Sequence, residues 1–218
     1  MKKFAYLIIG LLLISCEESV TPPDPHAYTT AKANIDDVRG AAQNTFSADA
    51  QLAGIYGRNV STSGEVDLLN TASLNAFVYI MQSSAVGGNE FYVPVYLAGP
   101  VKSPIDFNTM LSYIKDSTAK STVAGAISFL ATMFIYPDAD YEDSPAVLST
   151  LLTRDDVIQF RNSHANSQID MFLFPGKAID PDSGLINSAD WVVNFYGDTE
   201  SLVLWQNTVT GLVTVLSN

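Results

Sequence analysis

The chain has 218 residues, enough for one ordinary domain or two very small ones. It carries 11 basic against 23 acidic side chains, a net charge of −12, with 47% hydrophobic residues, one cysteine and two histidines. That balance excludes nucleic acid as a partner, a disulfide framework, a cysteine-rich metal site and a disordered chain.

Lys2 and Lys3 precede an apolar run from Phe4 to Ile14, broken only by Gly10 and closed by Ser15 and Cys16. The run is too short for a permanent bilayer span, which takes about 20 residues, and has the layout of a secretory signal. Leu13-Ile14-Ser15-Cys16 resembles a bacterial lipobox. That resemblance implies cleavage before Cys16 and acylation of its sulfur and amino group, so that several acyl chains anchor the protein to a membrane. Residues 1–15 are then a discarded signal. Lys2 and Lys3 leave with it, and nine basic against 23 acidic groups give a mature charge of −14. The working domain has no thiol, which excludes cysteine nucleophiles and redox couples. Residues 16–28 read as the lipidated cysteine and a tether, because Pro22, Pro23 and Pro25 prevent a helix or a central strand. Glu17 is not the aspartate that holds such lipoproteins at the inner membrane. The resemblance therefore implies the outer membrane of a Gram-negative bacterium, with the periplasmic or the external face left open.

Residues 29–102 read as a first α+β unit. Ile35, Val38, Ala42 and Phe46 share one helix face, with Thr29 or Thr30 as its cap. An extended stretch follows at Gln51–Tyr56, then an apolar strand at Phe77–Met81 and a turn at Gly87-Gly88-Asn89. A strand at Phe91–Leu97 comes next, and its Pro94 suggests a sheet edge. Residues 103–152 form a helical connection. Ser103-Pro104 caps a helix with Phe107, Met110, Leu111 and Ile114 on one stripe, Thr122–Ile135 is a buried helix or a core strand, and Ser144-Pro145 starts a short helix.

Residues 153–218 form a second α+β unit. Thr153-Arg154-Asp155-Asp156 has the form of a capping box before a helix carrying Val157, Ile158 and Phe160. Strands are expected at Gln168–Phe174, Trp191–Tyr196, Leu202–Trp205 and Leu212–Leu216. A loop around Asp180-Pro181-Asp182-Ser183-Gly184 separates the first two. The two ends share landmarks: Gln51-Leu52 matches Gln168-Ile169 and Phe77-Val78 matches Trp191-Val192, at spacings of 26 and 23 residues. Trp191, Val193 and Phe195 fall on one strand face, and Gly211 after Thr210 suits a turn position with positive φ.

Trp191-Val192-Val193-Asn194-Phe195 together with Thr210-Gly211-Leu212-Val213 resembles a PepSY-like domain, a helix packed on an antiparallel sheet. Asn207-Thr208-Val209 departs from it where an acidic residue is usual. The fold expected is therefore α+β, with helices on antiparallel meander sheets and one or two such units in tandem. The resemblance implies a protein or peptide partner in the cell envelope, bound or inhibited, and makes Trp191, Val193, Phe195, Thr210 and Gly211 structural.

No catalytic signature or phosphate loop occurs, so the chain reads as a non-enzyme with no cofactor. His26 lies in the tether, where nothing is expected to hold it. His164 follows a predicted helix and reads as a solvated or C-capping residue. Asp180, Asp182 and Ser183 offer oxygens at alternating spacing, a weak calcium candidate beside the ordinary reading of a solvated turn; Asp138, Asp140, Glu142 and Asp143 are a second such cluster. Tyr92, Tyr96, Tyr196 and Trp205 belong either to the core or to a glycan- or peptide-binding surface. The alternatives to a partner-binding lipoprotein are a structural or assembly lipoprotein of the envelope, and a carbohydrate-binding or hydrolytic one built on paired carboxylates.

Overall fold

The computed structural model describes residues 26–69, 76–83, 90–92, 105–106, 117, 121, 135, 139–180, 182 and 184–217. Cys16, the tether before His26 and the turn at 87–89 lie outside them, as does all of 122–135 except Ile135; of the predicted helix of 103–114 only Ile105 and Asp106 are described, and they form a strand paired with Glu90 and Phe91 instead. In chain order the elements are β1 (Tyr28–Thr29), α1 (Ile35–Thr45), β2 (Gln51–Arg58), β3 (Val66–Asp67), β4 (Ala76–Gln82), β5 (Glu90–Tyr92) and β6 (Ile105–Asp106). They continue with α2 (Ser144–Leu151), α3 (Asp155–Ser163), β7 (Gln168–Asp180), β8 (Gly184–Tyr196), β9 (Ser201–Gln206) and β10 (Val213–Ser217). Strands β1 and β3 form a small ribbon, and the other eight form one antiparallel sheet in the order β10-β9-β8-β7-β2-β4-β5-β6.

The expected α+β architecture, helices laid on one or two meander sheets of their own, is overturned. The described chain is mostly β. Its three helices have 11, 8 and 9 residues, whereas β7 and β8 alone have 13 each. Two reasons account for the difference. The residues around Asp180 to Gly184, expected as a loop between short strands, close a long hairpin instead, paired from Gln168↔Tyr196 to Asp180↔Gly184. The two halves also share a single sheet, because β2 and β7 pair directly at Ile55↔Leu173, Tyr56↔Phe172 and Gly57↔Met171. Pro175 is accommodated in β7 because its pairing with β2 ends at Leu173, so the missing N–H breaks no described ladder bond there.

The landmarks shared by the two ends coincide with register. Gln51 pairs with Gln82 as Gln168 pairs with Tyr196, and Leu52 with Met81 as Ile169 with Phe195. Gly57 pairs with Phe77 as Leu173 pairs with Trp191. A bulge at Ala53, between Leu52 and Gly54, gives β2 one residue more than β7 and explains part of the spacing difference. The β2–β7 seam is a local two-fold with Tyr56 and Phe172 at its centre.

Period-2 alternation sorts β8 into faces: Ala189, Trp191, Val193 and Phe195 are fully buried, and Val192, Asn194 and Tyr196 are half-buried on the other side. The core joins these residues to Ile55, Phe77, Tyr79, Met81, Met171, Leu173, Leu202 and Leu204. Val38 and Ala42 of α1, Val147, Leu148 and Leu151 of α2, and Val157 and Phe160 of α3 complete the cluster. Gly57 has no room for a side chain, since a Cβ there would lie 2.5 Å from the ring of Phe77.

Three short segments meet at Asp143 and Ser144. Asp143 N-caps α2 by accepting from the Ser144 amide, and also accepts from Thr30 Oγ1 at 2.6 Å and the Lys32 amide at 3.0 Å. Ser144 Oγ donates to the Gly64 carbonyl at 2.6 Å and accepts from the Ala31 amide. Thr29 therefore sits in β1 rather than capping α1, which begins later than expected, after Asn34. Nor does Thr153 close a capping box. Arg154 occupies the N-cap position of α3 and its guanidinium grips Asp156 at 2.6 Å, holding that carboxyl below its ordinary range. Strand β5, expected at an edge, lies between β4 and β6.

Candidate functional site

The sheet face opposite the core carries Tyr56 on β2, Asp170, Phe172 and Phe174 on β7, Ser188, Asp190, Val192, Asn194 and Tyr196 on β8, and Val203 and Trp205 on β9. Strand pairing alone places them together. Val192 stands opposite Phe172 and Trp205, and Asp190 opposite Phe174.

One polar group spans the seam. Asp170 accepts from Tyr56 Oη at 2.6 Å and from the Asn59 amide at 3.0 Å, and Tyr196 Oη donates to Asn59 Oδ1 at 3.2 Å. Asn59 has φ of +50°, a left-handed conformation that asparagine tolerates and that turns its amide toward Asp170. Burial, reinforced by the Asp170 charge, pushes the Tyr56 hydroxyl far above its ordinary range and that of Tyr196 up to about 12. Both hydroxyls stay protonated donors at physiological pH.

The second group lies toward the edge. Asp190 is buried, and its Oδ2 accepts from Trp205 Nε1 at 3.1 Å and from Asn207 Nδ2 at 3.4 Å. Among the described residues its Oδ1 has no well-aligned hydrogen-bond partner, while the Ser188 hydroxyl and the Thr208 backbone lie close enough to act as further donors to the carboxyl. Both side chains lie over Gly176, where a Cβ would come within 2.8 Å of Asp190 Oδ2 and Ser188 Oγ. Desolvation raises the Asp190 carboxyl above its usual range against the lowering effect of its donors. Trp205 remains 37% exposed as a residue, with Phe174 beside it at 6.4 Å between ring centroids and 42° between planes.

Beyond Trp205 the sheet ends at β10, where Thr214 pairs with Trp205. The outer edge of β10 pairs with no other strand among the described residues. Leu212, Val215 and Leu216 there are 66%, 44% and 53% exposed. Residues 201–217 include no charged side chain and no proline, two of the features with which natural edge strands discourage pairing; a register shift between Val215 and Ser217 leaves the first part of β10 as its regular edge.

The sequence-predicted residues fall as follows. Trp191, Val193 and Phe195 are core residues, and Trp191 Nε1 also donates to the Glu142 carbonyl at 2.9 Å. Gly211 has φ of +69°, and Asn207 Oδ1 accepts from the Thr210 amide and hydroxyl, so Asn207 organises this turn. Asp180 closes the β7–β8 hairpin against Gly184, Asp182 is exposed in the turn, and Ser183 lies outside the described residues. In the second acidic cluster Asp138 lies outside the described residues. Asp143 is occupied as the α2 cap, and Glu142 accepts from Gln206 Nε2. Among the described residues no three His, Cys, Asp or Glu side chains come together to hold a metal ion. His164 C-caps α3 and stacks on Phe160. His26, expected to be unheld, bonds Asp67 at 2.7 Å and stacks on Tyr28. Trp205 and Tyr196 do share a surface, Tyr96 lies outside the described residues, and only the backbone of Tyr92 is placed.

Asp170, Asp190 and Tyr56 were missed. Their signal was the alternation of polar with apolar residues along β7 and β8, legible only once the strands extend to 13 residues. Asp170 and Asp190 share a face, yet they stand four register positions apart, roughly 13 Å along the strands. Glycosidase carboxyl pairs are about 5–9.5 Å apart. No helix among the described residues is long and apolar enough to cross a membrane. Comparison of the chain with protein-family models, with curated proteins and with solved structures gives no match.

Proposed function

We propose that this chain is a non-enzymatic lipoprotein, anchored through Cys16 to the outer membrane of a Gram-negative bacterium, that binds a protein or peptide partner of the cell envelope along β10. The observation that carries the binding is the uncharged, apolar edge of β10, unpaired among the described residues, in a protein of net charge −12. An extended segment of the partner adds there as a further strand. Main-chain hydrogen bonds supply affinity, and alternate side chains contact Leu212, Val215 and Leu216. The anchor rests on the lipobox residues Leu13 to Cys16.

A photo-crosslinking residue at position 215 of the full chain in cells tests the binding. One discrete adduct is expected, lost when Val213→Pro removes an outward-facing donor of β10, and absent when the crosslinker stands at exposed Ile158 on α3. A smear independent of Val213, together with envelope leakage on deletion, would favour the structural alternative. Labelling with a palmitate analogue tests the anchor: label and membrane association should both disappear in Cys16→Ser.

A further inference from the structure

Trp205 is bonded and exposed at once. Its indole N–H is committed to Asp190 Oδ2, so what it offers outward is its π face, and hydrogen bonding to a carboxylate makes that face more electron-rich. Phe174, 6.4 Å away and inclined by 42°, adds a second ring and makes a corner rather than a flat patch. Behind the rings, Asp190 is buried with Oδ1 lacking a well-aligned hydrogen-bond partner, and no cation pairs with it among the described residues. Lys177 is the only basic residue in β7 to β10, and its register opposite Asn187 puts it on the other face of the sheet from Gly176, Ser188 and Asp190. A buried carboxylate without a counter-charge is costly, and a positive group brought from outside relieves that cost.

We infer that the Trp205–Phe174 corner is a receptor for an organic cation, the guanidinium or ammonium of a basic side chain on the partner, held over the Trp205 ring with the Asp190 charge behind it. Cations over tryptophan faces are the strongest of their kind, and arginine adds planar stacking on the ring. The chain's own charge of −12 concentrates cations around the protein and selects basic partners over acidic ones. Position fits as well. Trp205 is one strand inward from β10, so a strand added to β10 lies roughly 10 Å from Trp205, within reach of a long basic side chain leaning across Thr214.

In identifying the partner's chemistry this inference rests on the reading of β10 as the docking edge, but the receptor itself is testable without any partner. The full chain in detergent micelles, labelled with ¹⁵N-tryptophan, shows two indole N–H signals, and Trp205→Phe identifies one of them. Titration with ethylguanidinium should move the Trp205 signal saturably and leave Trp191, bonded inside the core, unmoved. Sodium chloride at matched ionic strength should move neither. Asp190→Asn, which keeps an acceptor for the indole, should weaken binding at least fivefold. Phe174→Leu, a gentler change, should weaken it by a smaller factor. A shift that is unsaturable, reproduced by sodium chloride, or unchanged in both variants would overturn the receptor. A sound receptor beside a missing adduct at position 215 would overturn only the docking edge.

Discussion

The hydroxyl of Tyr56 and the carboxylate of Asp170 meet at 2.6 Å although 114 positions separate them in the chain. Each belongs to a different half of the molecule, and their bond lies beside the three residue pairs by which β2 and β7 join. Hydrogen bonds to charged groups contribute about 1.5–3 kcal/mol. Tyr56→Phe is therefore expected to lower stability by about 2 kcal/mol. Asp170→Ala, which also strands the Asn59 amide, should cost more. Urea midpoints measure both, and equal, negligible shifts would show that the seam is held by other contacts.

Asp190 makes stability depend on pH in an unusual direction. Its folded pKa is raised above the ordinary 3.8, so the native state binds its proton more tightly than the unfolded chain does. That contribution is fully present below about 3.8 and is lost as pH rises through the elevated folded value. Asp190→Asn removes the dependence. The wild type should therefore lose stability relative to the variant as pH is raised from about 3 to 7, read as the difference between two chemical-denaturation series. A flat difference would mean that Asp190 titrates normally.

Gly57 lies where β2 crosses the ring of Phe77. A methyl group there would sit 2.5 Å from the ring, in a core with no space to yield. Gly57→Ala should destabilise by about 1–3 kcal/mol through overpacking. The double variant with Phe77→Leu should recover part of that loss. Non-additivity in the thermal midpoints is the signature to seek.

Asp143 joins the N-terminal ribbon to α2. Asp143→Ala removes the cap and the acceptor of Thr30 and Lys32 together, and a lost cap alone costs about 1 kcal/mol. Hydrogen exchange should speed up at the Ala31 and Lys32 amides and at the first turn of α2, while β8 stays protected. Uniform acceleration would mean that the ribbon and the sheet open as one unit.

Much of the sheet was legible wherever side chains alternate cleanly. Trp191, Val193 and Phe195 announced a buried face, and Ser144-Pro145 announced a helix start. Gln51-Leu52 and Phe77-Val78 pointed to their counterparts because strands in equivalent registers repeat the same pattern of large residues. What stayed hidden was long-range pairing. Nothing local says that Ile55 will meet Leu173, and the loop expected around Asp180 hid a hairpin, because β7 beyond Leu173 has no described partner on the β2 side and there tolerates Pro175, which a central strand would not. The α+β reading failed for that reason: it gave each half a sheet of its own. Part of the site, Trp205 and Tyr196, stood out as aromatics open between core and surface, whereas Asp170 and Asp190 had no distinguishing neighbours in sequence.

The seam between β2 and β7 also sets a clock. As the chain is made, β2 is complete long before the residues that will cover its inner edge exist, since Leu173 follows Ile55 by more than a hundred positions. Non-local strand pairing is slow even after both strands are present. The interval before closure is when this protein most needs an escort, and a destabilised seam would reveal itself first as lost yield rather than as lost binding.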